Sequence, residues 1–228
     1  MNDKGSPGNL DQKATTQTVT LQGGIVVEIQ GPLPYQQRHW VKHQFYEQSL
    51  LEYIREHYHG GAFIDGGACI GNHTLWFARF CAEQAIAVEP VERNMAHLIT
   101  NVILSGLSDK VVTVKAALGE RAGRGAMKTQ GPHHGGWELV DGDEVEITTL
   151  NEVGKLAAYP VALIKLDIQG SELSALKGGV DLLNEYGPVI IAEAWNKREA
   201  IETSAFLANL GYTLVLRKRN NYLFTRAR

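Results

Sequence analysis

Asp65 closes a short apolar run, Ala62-Phe63-Ile64-Asp65, and Gly66-Gly67-Ala68-Cys69-Ile70-Gly71-Asn72 follows at once. Only small residues let a backbone turn this tightly and come close to a ligand. The stretch therefore predicts a strand that turns into a helix around a small-molecule crevice. A second acid, Glu89, closes Ala85-Ile86-Ala87-Val88. Asp167 closes Val161 to Leu166, and Glu193 closes Pro188 to Ala192. Ligands of open parallel sheets bind at the carboxyl ends of the strands, where these acids would stand.

The spacing narrows the ligand. A dinucleotide loop reads G-x-G-x-x-G and a Walker loop ends in G-K-[ST]. Gly67 and Gly71 fit neither, and Gly71-Asn72-His73 lacks the lysine. The pattern suits a ligand with no pyrophosphate. A carboxylate beside the loop can accept hydrogen bonds from an ammonium, and one ending the second strand can accept both hydroxyls of a ribose. S-adenosylmethionine carries both groups. The alternatives are an ordinary tight strand–helix turn at Asp65 and a helix-capping acid at Glu89.

Elements that would hold these residues are legible in the periodicity. Leu50, Leu51, Ile54 and Tyr58 recur at helical spacing within Tyr46–Tyr58, and Gly60-Gly61 ends that run. Further helices are expected over Asn72–Phe80, Pro90–Leu104, Ser171–Leu183 and Glu199–Leu210. Strands are expected at Ile25–Ile29, Ala62–Asp65, Ala85–Glu89, Val111–Ala117, Val161–Asp167 and Pro188–Glu193, with a closing hairpin of Tyr212–Leu216 and Tyr222–Thr225. Alternating strands and helices imply an α/β fold with a mostly parallel sheet, helices on both faces and an antiparallel edge. Gly119–Glu146 has no helical period and reads as an inserted hairpin or mobile loop.

Four stretches, in order, resemble the FkbM family of class I S-adenosylmethionine-dependent methyltransferases. They are Tyr46-Glu47 with Phe63 to Leu75, Ala87-Val88-Glu89-Pro90 with Asn94 and Asn101, Thr149 to Val153, and Ile164 to Glu172 with Leu176-Lys177-Gly178. The resemblance covers roughly residues 45 to 195. It implies a Rossmann-like, seven-stranded sheet with an antiparallel C-terminal strand, and S-adenosylmethionine as cofactor. Asp65 and Gly67, Ala68 and Gly71 would then meet the methionine moiety, with Asn72 and His73 close by. Glu89 would hold the ribose, Ala116 and Ala117 would leave room for adenine, and Glu47 could reach the amine. Asp167 would face the transferring methyl and orient or deprotonate an acceptor hydroxyl, with Glu193 assisting. The two carboxylates could also hold a divalent cation, but no third ligand can be named; capping of loop amides is the structural alternative. The implied reaction is O-methylation of a hydroxyl on a small molecule or sugar; the alternatives are methylation of a nitrogen or of nucleic acid, or a module that binds S-adenosylmethionine or a nucleotide without catalysis. Gly66, Cys69 and Gln169 stand where the family usually has a β-branched residue, asparagine and glutamate.

Composition excludes several classes. Among 228 residues there are 24 glycines and 7 prolines without a collagen period. The net charge of −3 gives no global pull toward nucleic acid or anionic membrane. Arg217-Lys218-Arg219 reads as solvated surface. Two cysteines, Cys69 and Cys81, build no disulfide framework and fit a reducing, cytoplasmic setting. Residues 1–22 lack an apolar core segment and are expected to be a flexible tail ahead of one domain, 23–228. His133 or His134 could present a base from the insert, though solvent exposure is the plainer reading. Trp137 and Trp195 could line an acceptor pocket or pack at its rim.

Overall fold

The aliphatic runs fold as strands, and the segments with three-to-four spacing between them fold as helices. A computed structural model describes residues 17–30, 35–129 and 136–227. Its strands are β1 (Gln17–Thr20), β2 (Val26–Ile29), β3 (Ala62–Gly66), β4 (Gln84–Val88), β5 (Val111–Val114) and β6 (Ala117–Leu118), then β7 (Gly123–Thr129), β8 (Trp137–Thr148), β9 (Val161–Leu166), β10 (Val189–Glu193), β11 (Tyr212–Lys218) and β12 (Asn221–Arg226). The helices are α1 (Gln37–Trp40), α2 (Gln48–His57), α3 (Asn72–Phe80), α4 (Glu92–Leu104), α5 (Leu150–Gly154), α6 (Glu172–Lys177), α7 (Val180–Tyr186) and α8 (Lys197–Asn209).

The central sheet has seven strands in the order β11-β12-β10-β9-β3-β4-β5, and β12 runs antiparallel to both its neighbours. From β3 the chain winds outward through β4 and β5, then returns to lay β9 on the other side of β3. That reversal opens a crevice at the carboxyl ends of β3 and β9. Side-chain alternation along the strands splits the core into two layers. Phe63, Leu163 and Ile191 pack toward Leu51, Ile54, Leu75 and Phe77. Ile64, Ile164 and Ile190 pack toward Leu150, Leu176, Leu183 and Leu207.

Several boundaries move. Gln17–Thr20, expected in the tail, pairs with β2. Gly23 and Gly24, both at φ 71°, make the connection, and Leu21 is buried. The tail expectation for residues 1–16 lies outside the described residues, as do His133 and His134. The helix expected over Ser171–Leu183 breaks between α6 and α7. At the break, a Cβ on Gly178 would sit 2.3 Å from the Gly119 carbonyl oxygen, so the helix passes directly against the start of the insert. The third strand stops at Val114, and Ala117-Leu118 leaves for a second sheet, β6-β8-β7. The described part of the insert is therefore an antiparallel hairpin, β7 against β8. Its glycines serve the strand crossing: a Cβ on Gly142 would lie 2.5 Å from the Ala126 Cβ, beside the register shift at Gly125/Ala126.

A candidate S-adenosylmethionine cleft with a carboxyl pair at its floor

The crevice at the ends of the central strands is a cleft of about 420 Å³. Gly67, Glu89, Ala116, Ala117, Asp167 and Glu193 are on its wall. Glu47, Asp65, Ala68, Gly71, Asn72 and His73 are not among its lining residues. Tyr35, Tyr46, Trp137 and Trp195 add an aromatic border; Tyr35 and Trp195 are 54% and 57% exposed.

The glycine loop is built by close approach. Gly67 has φ 80°, and a Cβ there would fall 2.0 Å from the Asp167 carbonyl oxygen. At Gly66 a Cβ would meet Leu118 and Leu166 at 2.7 and 2.8 Å, so two leucines fill the space of a larger residue. The loop's amides are already used. Gly67 and Ala68 N–H donate to the Val88 carbonyl, Cys69 N–H to Glu89 Oε2 and Gly71 N–H to the Ala68 carbonyl. Such a loop makes no nest for a phosphate. Glu89 accepts two more hydrogen bonds, from Val91 N–H and Asn94 Nδ2. Burial raises its pKa, against those donors. Burial and the Glu89 charge push the Cys69 thiol up as well, which leaves it a poor nucleophile.

Beneath the cleft lies a buried polar layer. Asp65 and Lys165 are register partners on β3 and β9, so their side chains share one face of the sheet. Asp65 Oδ2 accepts from Thr74 Oγ1 at 2.6 Å, while Oδ1 is buried with no partner. Lys165 Nζ is 3.2 Å from Asp167 Oδ2. His73 Nε2 is 3.1 Å from Glu47 Oε2, and Asn221 Nδ2 donates to Glu47 Oε1. Burial pushes the Glu47 pKa up, but the His73 hydrogen bond and charge, with Lys165, bring the net shift down. Asn72 is committed elsewhere: its Oδ1 accepts from Trp40 Nε1 and Tyr46 N–H, and its Nδ2 donates to the Tyr46 carbonyl. It fixes the segment ahead of α2 and so places Tyr46 and Glu47.

Asp167 and Glu193 meet at the cleft floor. Glu193 follows Ala192, the register partner of Leu166, so its carboxyl stands beside that of Asp167, and the Trp195 indole N–H donates to Glu193 Oε2 at 2.9 Å. Burial and the Asp167 charge push Glu193 up to about 9. For Asp167 burial acts upward, but Lys165 holds it down at about 2. These opposite shifts favour one proton on the pair, on the Glu193 side. Gln169 Nε2 adds a contact to Asp167 Oδ1 at 3.3 Å. The loop after β9 is held by Glu172, which accepts from Ile168 and Gly170 N–H and which burial pushes up to about 7. Glu47, Cys69 and Gln169 all have left-handed backbones, at φ 55°, 52° and 55°. Non-glycine strain of this kind concentrates at functional sites. Among the described residues no group of three or more His, Cys, Asp or Glu side chains is arranged to hold a metal ion.

The shared proton has a consequence for stability. Between pH 4.5 and about 9 folded Glu193 keeps a proton that the unfolded chain has released. Stability therefore falls as pH rises through that window, by up to about 1.4 kcal/mol per pH unit. Glu193→Gln keeps a neutral side chain and is expected to remove this fall. Denaturant unfolding of both proteins near pH ~5.5 and ~8.5 measures it; identical pH dependence would rule out the shared proton.

Sequence reading gave Lys165, Glu172 and Tyr46 no role. Lys165 and Glu172 lie inside the Ile164–Glu172 motif, so the signal was present without its meaning. The apolar run Val161–Leu166 identifies a strand, but only the placement of β9 beside β3 brings Lys165 into register with Asp65.

Residues 65–214 match the Methyltransferase FkbM domain. No curated protein matches the chain. Among solved structures, a methyltransferase FkbM from Methylobacillus flagellatus is similar at 19% identity and a TM-score of 0.57, over 73% of this chain and 43% of that one. This chain thus spans less than half of that protein. A precorrin 8w decarboxylase from Methanobacterium thermoautotrophicum is similar at 16% identity and a TM-score of 0.50, over 78% of this chain and 88% of that one. At these identities the structures speak for the fold alone. No helix among the described residues is long and apolar enough to cross a membrane.

Proposed function

The chain belongs to the FkbM methyltransferase family, whose cofactor is S-adenosylmethionine, and from that premise we propose that it methylates a hydroxyl oxygen of a small molecule or sugar. The observation that carries this reading is the Asp167 carboxylate, ionised beside Lys165 and open to a cleft that aromatic rings border.

The residues fit the cofactor. Asp65 Oδ1, beneath the cleft rather than on its wall, is a buried acceptor lacking a donor, and an ammonium group reaching it past the glycine loop would supply one. Glu89 ends β4 on the cleft wall and would take the ribose hydroxyls; Ala116 and Ala117 leave the adjoining wall shallow for a flat base. Carboxylates outnumber cations around the floor, which favours a positively charged ligand over a phosphorylated one. When bound, S-adenosylmethionine supplies an electrophilic methyl group on a cationic sulfur.

The protein's own part is alignment and proton removal. Asp167 accepts a hydrogen bond from the acceptor hydroxyl, points the oxygen lone pair along the cleft and takes the proton as the oxygen gains its methyl. Glu193, protonated and tied to the Trp195 indole, holds the Asp167 carboxylate in place. The Tyr46 phenol, raised by burial and by Glu47, Asp167 and Glu193, stays protonated and serves as a hydrogen-bond donor rather than a base. Tyr35, Trp137 and Trp195 offer ring faces to a sugar or an aromatic acceptor.

Glu89→Ala is expected to weaken S-adenosylhomocysteine binding about 10–100-fold, the worth of hydrogen bonds to a charged group. Isothermal calorimetry on the full chain measures this. Wild-type affinity in the variant would remove Glu89 from the ribose role. Methyl transfer itself is tested by incubating the protein with S-adenosylmethionine and neutral glycosides or phenols and reading a one-methyl mass gain; no binding heat and no mass gain would overturn the reading.

A further inference from the structure

Lys165 is 1% exposed, in the middle of the central sheet. Its neighbours across the sheet in register are Asp65 on β3 and Ile191 on β10. An apolar side chain could fill this position at less desolvation cost, since a buried ammonium is stable only when closely paired. The charged groups around it come from several adjoining elements: Asp65 from β3, Asp167 after β9, Glu193 from β10 and Glu47 ahead of α2, while His73 of α3 pairs with Glu47. Among the described residues, Asp167 is the one carboxylate paired directly with its Nζ, at 3.2 Å. Exposure differs along this chain of groups. The Asp167 side chain is 23% exposed, toward the cleft, whereas Lys165 is closed off.

We propose that Lys165 is a positioning residue that fixes which of two carboxyls is the base: its buried ammonium keeps the negative charge on Asp167 and leaves the shared proton on Glu193. Two adjacent carboxyls share a proton without an inherent preference. Here the asymmetry comes from contact. Lys165 sets a full positive charge against Asp167, whereas Glu193 receives only the neutral Trp195 indole N–H, a weaker pull toward the ionised form. The ionised carboxylate is thereby the one beside the glycine loop, and the neutral one is its hydrogen-bond donor. Lys165 touches no reacting atom; it acts through Asp167. The inference rests on the proposed O-methyltransferase reading for its purpose, but the charge state it assigns exists without any ligand.

Infrared spectroscopy of the full chain, free of added ligand and titrated from acid to alkaline pH, tests it. The readout is the protonated-carboxyl stretch in wild type, Glu193→Gln, Asp167→Asn and Lys165→Met. Wild type is expected to show a component that Glu193→Gln removes. Lys165→Met is expected to raise the midpoints of the pair by about 1–3 pH units, so that the second carboxyl takes up its proton at a correspondingly higher pH on the acid side than in wild type. An unchanged band and unchanged midpoints in Lys165→Met would overturn the proposal. If Lys165→Met does not fold, Lys165→Met/Asp167→Asn decides the matter. Recovery of folding and of S-adenosylhomocysteine binding in the double variant supports charge pairing; a double variant as unfolded as the single overturns it. Calorimetry of wild type with S-adenosylhomocysteine separates the two ideas. Absence of binding heat sinks the methyltransferase reading and leaves the carboxyl titration standing.

Discussion

Asp167→Asn should lower methyl transfer about 10²–10⁴-fold, the span covered by loss of a positioned general base. The loss should fall on kcat, because the variant keeps a hydrogen-bonding side chain of the same shape at the cleft floor. Stability should change little. With Asp167 neutral, Glu193 no longer faces a carboxylate and can ionise beside Lys165, so the buried ammonium keeps a counter-ion. That relocated charge is a poor substitute as base, since Glu193 is only 6% exposed and its Oε2 is held by the Trp195 indole. Binding of S-adenosylhomocysteine should persist. The measurement is steady-state release of S-adenosylhomocysteine with the acceptor found by mass gain, alongside calorimetry. A variant that keeps more than about a tenth of kcat would remove Asp167 from the role of base.

The carboxylates at strand ends were legible because each closes an apolar run, and a strand end is where a sheet exposes its ligands. The order of the strands was not legible. Asp65 and Lys165 are register partners, and Asn221 donates to Glu47 across 174 residues of sequence. Local periodicity contains no term for such contacts. The same limit explains Asn72. Its place after the glycine loop reads as a cofactor contact, yet its side chain closes three hydrogen bonds with Trp40 and Tyr46. Helix ends were closer to the sequence. Thr149 and Asn196 each cap a helix by accepting from the N–H of a glutamate three residues on. The break between α6 and α7 falls at Gly178-Gly179, two residues of poor helix propensity, and only the fold brings the Gly119 carbonyl so close to Gly178 that no side chain fits there. Two residues that depart from the family pattern, Cys69 and Gln169, proved to hold left-handed backbones. Asparagine tolerates that conformation better than cysteine, so the departure at position 69 adds strain where the loop hydrogen-bonds Glu89.

Gly67→Ala is expected to be the most damaging single-methyl change in the cleft. The new Cβ would lie 2.0 Å from the Asp167 carbonyl oxygen and 2.9 Å from its carbon, and backbone cannot swing aside as a side chain can. A left-handed alanine costs about 1–2 kcal/mol, and forced overpacking a further ~1–3 kcal/mol. Together these give a loss of about 2–5 kcal/mol, or roughly 5–15 °C in Tm for a domain of this size. Gly170→Ala is the internal control. Gly170 also has a left-handed backbone, at φ 95°, but a Cβ there meets nothing within 4 Å. It should show the conformational cost without the collision. The clash in Gly67→Ala pushes apart the ends of β3 and β9, the two strands whose divergence makes the cleft, so the variant should also lose S-adenosylhomocysteine binding even where it remains folded. Thermal unfolding of both variants, with calorimetry at a temperature where each is native, separates these effects. Equal Tm losses in the two variants would mean that the loop and the β9 carbonyl do not pass as closely as this structure places them.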